Sequence, residues 1–403
     1  MIMASNRSNQ RPPNLVRRTP MPSSASVAVG TPLQPAVVYA SPDADALDDQ
    51  YEGRASGYTY AREGHPNADV VAAKIDALEA SPTPGIMLGS GMGAISAVFL
   101  GLLKAGDHIV AGDQLYGRSL RLLTQDLPRF GIECTFVDAG DAANVAAAMR
   151  PETKLVMVEV VSNPTLRIAD LDGIAAITAH HQALLMMDNT FTTPRAIRAY
   201  DHGADIVIHS VTKLLAGHSD VTLGYASVAD PGLRQPIVDA AVTWGLTPSP
   251  WDCWMAERGM HSFDLRFDRA QQTAGQIADR LAGLAGVEAV IYPGRADHPD
   301  AEKAQALLGQ NPGNMVSFRI SGGRAQANAF IRAAGEIPFA PTLGDIGTTL
   351  SHPASSSHRG LTAAGRAELG IDEGFFRLSV GIEDPDLLLS ELTAAVAAAQ
   401  ATL

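Results

Sequence analysis

The sequence predicts an α/β protein, in which a large domain with a mostly parallel central sheet is followed by a smaller α+β domain. Three observations predict it. Between Gly85 and His209, short apolar runs alternate with helical segments at the spacing of repeated βα units, which implies a sheet covered on both faces. At 403 residues the chain is too long for one small core. Around Pro248 and Pro250 the pattern changes to one long helical stretch and then to mixed strands and helices.

Taken in order, residues 1–60 read as an extended N-terminal arm, 61–250 as the first domain and 251–403 as the second. Asn67–Glu79 predicts a helix, with Val70, Val71, Ile75 and Leu78 on one face. Strands are predicted at Gly85–Leu88, His108–Gly112, Glu133–Asp138, Leu155–Val160, Ala183–Asp188 and Ile206–His209. Helices fall between several of them, at Gly93–Leu103, Arg118–Phe130, Ala142–Met149 and Asp170–His180. A single helical stretch is expected over Trp251–Leu284. Strands follow at Val287–Tyr292, Met315–Ile320 and Phe375–Val380, with helices at Ala325–Ala334 and Pro385–Ala399. No internal repeat is found.

Bulk properties narrow the function. Apolar content of 46% and charged content of 18% describe an ordinary globular protein. A net charge of −13 argues against nucleic acid or an anionic membrane as partner. No apolar run reaches the ~18 residues of a membrane span. Cys134 and Cys253 lie far apart and make neither a disulfide framework nor a zinc pattern, so no metal is expected and a reducing cytoplasm is the default location. The first 42 residues lack Asp and Glu but carry Arg7, Arg11, Arg17 and Arg18, a composition read as a disordered arm rather than a targeting segment.

The chemistry centres on Lys213. The chain has five lysines against twenty-five arginines, so a lysine between Thr212 and Leu214 asks for a reason. A desolvated lysine amine can lose its proton and attack a carbonyl, which a guanidinium cannot do. The alternative is a lysine snorkelling from a strand end. Asp188 ends an apolar strand 25 residues earlier, one βα unit away, so both side chains can face one crevice. Gly89-Ser90-Gly91-Met92-Gly93-Ala94 follows a strand and opens a helix, whose amides suit a phosphate. The same pattern fits a nicotinamide dinucleotide loop, with Asp113 at the next strand end ~20 residues on. Ser210 and Thr212 can add hydroxyl donors to the phosphate. Tyr116 can stack on a flat ring or fill a core. Tyr60 and Arg62 fit an anion site reaching a neighbouring subunit, or an exposed turn. Arg377, inside the apolar strand Phe-Phe-Arg-Leu-Ser, needs a partner, either a substrate carboxylate or a structural ion pair. His209 and His218 flank the lysine and are read as supporting groups.

Together these residues resemble the pyridoxal-phosphate enzymes of cysteine and methionine metabolism, the cystathionine γ-synthase/γ-lyase family. The likeness runs from about Gly57 to about Glu383. It is carried by Tyr58 to Pro66, Ser90-Gly91-Met92, Gln114 to Gly117 and Glu159 with Asn163-Pro164. It continues in Met187-Asp188-Asn189-Thr190, His209 to Asp220, Ser351 to Ser355 and Arg377 to Gly381. The resemblance implies the aspartate aminotransferase-like fold (fold type I) and pyridoxal 5'-phosphate as cofactor. By it, Lys213 is the Schiff-base lysine and mobile acid/base, Asp188 the partner of the pyridine nitrogen, and Tyr116 the ring-stacking tyrosine that can assist proton transfer. Ser90, Gly91, Met92, Ser210 and Thr212 resemble the phosphate cradle. Tyr60 and Arg62 match residues that reach a neighbouring subunit's phosphate, which implies a homo-oligomer, a tetramer built from dimers with shared active sites. Asn163 and Arg377 resemble groups near the cofactor hydroxyl and the substrate α-carboxylate, and Thr342 belongs to the same substrate side.

The resemblance implies replacement or elimination at Cγ of a sulfur amino acid or activated homoserine, of the cystathionine γ-synthase, γ-lyase or O-acylhomoserine sulfhydrylase type. Methionine γ-lyase or cystathionine β-lyase activity is the alternative, and a nicotinamide-dependent dehydrogenase the remote one. Several positions depart from the family. Tyr60-Ala61-Arg62 stands for Tyr-Ser-Arg, and His65-Pro66-Asn67 for Asn-Pro-Thr. Arg118 stands where methionine γ-lyases resemble one another in having Cys. Gly347 stands where several cystathionine-handling members carry Glu, and Leu223 replaces a usual Gly. The loop from Thr342 to Gly347 also lacks the Ser-Trp-Gly of one class of β-lyases. These departures lie on the substrate side, so the resemblance leaves the substrate open.

Overall fold

The structure is a computed structural model that describes residues 22–403. Arg7, Arg11, Arg17 and Arg18 of the acid-free segment lie outside the described residues. Residues 22–32 carry no helix or strand and belong to a different unit from Leu33–Leu403. The main unit begins with helix α1 (Ala44–Tyr51), which interrupts the arm expected to be extended. Asp43 caps it, its Oδ1 accepting from the Ala46 amide at 2.8 Å. Helix α2 (Pro66–Glu79) follows, with the His65 ring as its cap.

The alternating region then gives β1 (Ile86–Leu88), α3 (Gly91–Leu102), β2 (His108–Gly112) and α4 (Gly117–Arg121). Next come β3 (Glu133–Val137), α5 (Ala142–Ala148), β4 (Thr153–Glu159), α6 (Leu171–His181), β5 (Leu184–Asp188) and the short α7 (Thr193–Ala196). β6 (Ile206–Ser210), β7 (Gly224–Val228) and α8 (Arg234–Thr243) complete it. These strands form a seven-stranded sheet in the order β1-β7-β6-β5-β4-β2-β3. β3, β2, β4, β5 and β6 run parallel, whereas β7 is antiparallel to both β6 and β1. Val98 and Phe99 of α3 and Ile237 of α8 cover one face of the sheet; Val145 of α5 and Ile174 of α6 cover the other. Strands buried on both faces explain the near-continuous apolar runs in the sequence.

Two predicted helices are broken by identifiable chemistry. The expected Arg118–Phe130 helix is α4, then a π-helical turn at Leu122–Asp126, then a 3-10 turn at Leu127–Phe130. Pro128 lacks an amide hydrogen, and its ring crowds the carbonyl four residues earlier. The expected Trp251–Leu284 helix is instead α9 (Pro250–Met260) and α10 (Phe263–Ala282). At the break, the Gly259 carbonyl accepts from the Ser262 hydroxyl at 3.2 Å and the Arg266 Nη2 at 3.0 Å. Strand β7 has no counterpart in the sequence-based elements. It is only five residues long and follows the lysine turn without a helix between, so it lacks the βα spacing of its neighbours.

The remaining chain contributes β8 (Val287–Ile291), α11 (Ala301–Leu308), β9 (Met315–Ile320), α12 (Arg324–Ala333) and β10 (Thr349–Ser351). It ends with α13 (Ala363–Glu368), β11 (Phe375–Ser379) and α14 (Pro385–Gln400). The second sheet is antiparallel, in the order β10-β11-β9-β8, so the smaller part is α+β as the sequence predicts. Its core stacks Phe376 against Phe318 and Phe330, with ring centroids 5.6 and 4.8 Å away. No helix among the described residues is long and apolar enough to cross a membrane. Phe376 is fully buried, so Phe376→Ala is expected to cost ~3–5 kcal/mol of unfolding free energy. Urea titration followed by circular dichroism measures the loss.

Candidate active site

The ends of β4, β5 and β6 bring the sequence-predicted residues together. Glu159 and Asp188 lie side by side in register, and Asp188 pairs with Ile208 on the next strand. The strand ends are then tied to one another. The Asn189 amide donates to the Ile208 carbonyl at 3.0 Å, and the Ser210 amide donates to the Thr190 hydroxyl at 2.8 Å. This is the carboxyl edge of a parallel sheet, where α/β folds place their ligands.

Lys213 leaves β6 on a tight turn, its amide donating to the Ser210 carbonyl at 3.1 Å. Two features hold that turn. Buried Arg266 donates to the carbonyls of Leu214 at 2.9 Å and Leu215 at 3.1 Å. Gly344, at φ +80°, packs so closely that a Cβ there would lie 2.6 Å from the Leu214 amide nitrogen. The Lys213 amine reaches the Thr342 hydroxyl at 3.4 Å. Burial, and then the charge of Arg377, lowers its pKa from the ordinary lysine value. An amine so placed holds its proton weakly, as a carbonyl-capturing amine requires.

Asp188 ends β5 beside Glu159, whose carboxyl also feels Arg377. Burial raises the Asp188 carboxyl, while donors at Thr190 and the charge of His209 oppose the rise; the Thr190 amide lies 3.0 Å away. Glu159 is pushed well above the carboxylate range by burial and by Asp188, against hydrogen bonds from the Tyr116 and Asn163 amides. The Tyr116 amide contact is 2.6 Å and tethers the tyrosine to the end of β4.

Arg377 crosses from the second sheet. It is 5% exposed and makes no ion pair among the described residues. Its Nη1 donates to Asn163 Oδ1, and its Nη2 to the Thr342 carbonyl at 2.9 Å, while Nε has no partner. Burial lowers its pKa to about 10 against the pull of Glu159 and Tyr116. A buried guanidinium without a carboxylate is a place for a bound one.

The start of α3 offers unpaired amides. Ser90 caps the helix, its hydroxyl accepting from the Gly93 amide at 2.9 Å, and among the described residues the Gly91 and Met92 amides have no protein acceptor. Ser210 sits against Gly91: a Cβ on Gly91 would lie 2.7 Å from the Ser210 Cβ. The Ser210 hydroxyl makes no hydrogen bond to protein among the described residues. Thr212 differs, since its hydroxyl donates to the Leu223 carbonyl at 3.1 Å and accepts from the Leu223 amide at 2.9 Å. Two amides, a hydroxyl and a helix N-terminus fit a phosphate. Asp188, a carboxylate without a cation partner among the described residues, fits a protonated ring nitrogen. The residues present therefore fit pyridoxal 5'-phosphate.

Tyr60 and Arg62 are not part of this cluster. Both are exposed, Arg62 lies over the Tyr60 ring at 5.5 Å and 3.8 Å from Glu63, and neither bonds to the residues around Lys213. Arg118 is exposed and has no ion pair among the described residues. The dinucleotide-loop reading fails on topology. β1 is the antiparallel edge strand, and β7, β6, β5 and β4 separate it from β2, so Asp113 is remote from the glycine loop. Sequence reasoning missed Arg266 as the clamp of the lysine turn and Glu79 as a buried group. The signal for Glu79 was its place four residues after Ile75 on the apolar stripe of α2.

A family model described as Cys/Met metabolism PLP-dependent enzyme matches residues 14–397. Among curated proteins, cystathionine beta-lyase MetC of Bacillus subtilis is 39% identical over 82% of this chain and 83% of its own. L-methionine gamma-lyase of Porphyromonas gingivalis is 35% identical over 90% of this chain and 91% of its own. Among solved structures, cystathionine gamma synthase from Xanthomonas oryzae pv. oryzae, in complex with cystathionine, superposes with a TM-score of 0.88. It is 35% identical and covers 94% of this chain and 96% of its own.

Gly91→Ala is expected to push the α3 amides and Ser210 apart. Cofactor affinity should fall about tenfold or more, the equivalent of one lost contact of ~1.4 kcal/mol. Fluorescence titration with pyridoxal 5'-phosphate measures it, and an unchanged affinity refutes the cradle.

Proposed function

Because this chain belongs to the Cys/Met metabolism PLP-dependent enzyme family, we propose that it catalyses replacement or elimination at Cγ of a sulfur amino acid or an activated homoserine. The observation that carries this reading is the convergence of Lys213, Asp188 and Arg377 on one crevice beside a helix N-terminus. Bound there, pyridoxal 5'-phosphate supplies a carbonyl that captures amines and a protonated ring that withdraws electrons from the substrate.

The roles follow from the chemistry of each group. Gly91, Met92 and Ser210 hold the phosphate, with Ser90 ordering the helix start and Thr212 bracing the turn. Asp188 would keep the ring nitrogen protonated, and the Lys213 amine would be the group that binds the cofactor's carbonyl. Arg377, oriented by Asn163 and the Thr342 carbonyl, takes the α-carboxylate. That contact turns Cα toward the freed Lys213 amine, whose lowered pKa makes it the base for the Cα proton. Lys213 would pass that proton to the bound cofactor, which frees the amine to take a proton from Cβ and so lets the γ-substituent leave. Tyr116, over the crevice, moves a proton to or from the leaving side. Addition of a thiol gives replacement; protonation and hydrolysis give a 2-oxo acid and ammonia.

A second reading is β-elimination from cystathionine or γ-elimination from methionine. The 39% identity to a cystathionine beta-lyase and the 35% identity to a methionine gamma-lyase support it. The exposure of Tyr60 and Arg62, away from their own chain's crevice, supports their serving a neighbouring subunit's phosphate in a dimer-built tetramer. Residues 61–250 act as the cofactor domain and 251–403 as the C-terminal domain, with the arm 1–60 toward the neighbouring subunit. Unpaired Cys134 and Cys253 support a cytoplasmic site of action.

Borohydride reduction of the cofactor-loaded chain should place a pyridoxyl group on Lys213, read by peptide mass spectrometry. Lys213→Ala should lose the visible absorbance of the attached cofactor; modification of another lysine sinks the assignment. Arg377→Gln should raise KM for amino-acid substrate by about tenfold to a hundredfold, the range of one to two lost charge-assisted hydrogen bonds. A panel of O-acetylhomoserine, O-succinylhomoserine, cystathionine, homocysteine and methionine decides between the readings. Oxo-acid release and thiol incorporation are followed on the same samples, and turnover of none of them overturns both.

A further inference from the structure

Lys213 stands at the start of a turn that no helix continues. Its own carbonyl accepts from the Gly217 amide at 2.8 Å, and the Gly217 carbonyl accepts from the Ile346 amide at 2.8 Å. Between them, no backbone amide among the described residues reaches the carbonyls of Leu214, Leu215 and Ala216, and all three residues are buried. Buried carbonyls without donors are costly, and in a helix the following turn would supply the missing amides. Here one side chain takes their place.

Arg266 lies on the first turn of α10, is 6% exposed and uses all three of its guanidinium nitrogens. Nη1 donates to the Leu214 carbonyl at 2.9 Å and Nη2 to the Leu215 carbonyl at 3.1 Å, with the Ala216 carbonyl 3.5 Å away. The Ala216 carbonyl also meets His218 Nδ1 at 2.6 Å. Nη2 further donates to the Gly259 carbonyl at 3.0 Å, and Nε to the Ser262 hydroxyl at 3.1 Å. A planar fork of donors can serve two adjacent carbonyls at once, which a single ammonium in the same seat cannot. The surroundings make room for it. Gly217 has φ +74°, and a Cβ on it would overlap Nη1. The break between α9 and α10 lets the Gly259 carbonyl meet the guanidinium, whereas in an unbroken helix the amide four residues on would take it.

The same turn is held by the loop that carries Thr342. Gly344 packs against the Leu214 amide, Ile346 donates to Gly217, and the Thr342 hydroxyl meets the Lys213 amine at 3.4 Å. The backbone of Lys213 is therefore fixed both from α10 and from residues 342–346, so movement of the amine must come from its side chain. We propose that Arg266 is the positioning residue of the reactive lysine: it fixes the turn from which the Lys213 amine reaches the cofactor's carbonyl and, later, the substrate's Cα. Arg266 acts through that turn, since its nitrogens are all spent on protein acceptors. This rests on the reading of the crevice as a pyridoxal 5'-phosphate site. A reacting group displaced by about 1 Å can lose about a hundredfold in rate, so the clamp bears on the speed of capture rather than on cofactor affinity.

Arg266→Lys keeps a cation in the seat but removes the fork. Pyridoxal 5'-phosphate is mixed with the cofactor-free full chain, wild type or variant, and growth of the visible absorbance of the attached cofactor is followed as its concentration is raised. The rate at saturation reports capture by the amine; the half-saturating concentration reports binding. Borohydride trapping with peptide mass spectrometry locates the attachment, and far-UV circular dichroism gives the folded fraction. The variant's saturating rate per folded chain should fall about tenfold to a hundredfold, with the half-saturating concentration within about twofold, because Gly91, Met92, Ser210 and Asp188 are unchanged. A purely structural role would lower the melting temperature and leave that rate alone. A saturating rate per folded chain equal to wild type overturns the inference alone. A wild-type chain that attaches no cofactor at Lys213 overturns the site reading and this inference with it. Should Arg266→Lys fail to fold, Ser262→Ala removes the acceptor of Nε and undergoes the same measurements. Its saturating rate should fall about twofold to tenfold, the range of one lost hydrogen bond, and an unchanged rate overturns the inference.

Discussion

Arg377 is a guanidinium buried between two sheets. It extends from β11 of the antiparallel sheet and donates to Asn163, just past β4 of the parallel one, and to the carbonyl of Thr342. The Thr342 hydroxyl in turn meets the Lys213 amine. A buried cation of this kind is costly unless its donors are met, so the two parts of the chain must meet in one arrangement. In that arrangement its Nε is unpaired, and it makes no ion pair among the described residues. The same charge lowers the proton affinity of Lys213, so the group that joins the two sheets also loosens this amine's hold on its proton.

The carboxylates set a second constraint. Glu159 and Asp188 stand side by side at adjacent strand ends, and both resist ionisation through burial. Two like charges so close do not both ionise without help. Backbone amides of Tyr116 and Asn163 serve Glu159, while Thr190 and His209 serve Asp188. Each stabilising contact also fixes a functional segment: the Tyr116 loop, the Asn163 turn, the β5 end and the β6 end. Electrostatic need and geometric order are met by the same hydrogen bonds.

Much of this was legible in sequence. The parallel strands declared themselves because burial on both faces demands continuous apolar runs. Lys213 stood out because lysine is scarce in the chain, and Asp188 because it ended such a run. The helix start at Ser90 and Gly91 was legible because small residues there open a helix N-terminus. Less visible were groups whose meaning is long-range. Arg266 looked like one more arginine on a helix, since nothing local marks it as the clamp of a turn some fifty positions away. Glu79 closed the predicted helix Asn67–Glu79 without being singled out. Tyr60 and Arg62 carried a motif, yet their own chain does not bring them to the crevice.

The sequence by itself determined the periodic elements, the parallel character of the main sheet, the scarce lysine and the cofactor class. These depend on local spacing and on what each side chain can do chemically. Tertiary structure alone decided the strand order, which separates Asp113 from the glycine loop and ends the dinucleotide reading. It also decided that Glu79 of α2 bonds to Asn189 and His209 at two strand ends and that Arg377 reaches Asn163 from the second sheet. Such contacts join residues more than a hundred positions apart. Their existence depends on which crossover connections the packed sheet permits, and no local pattern encodes that.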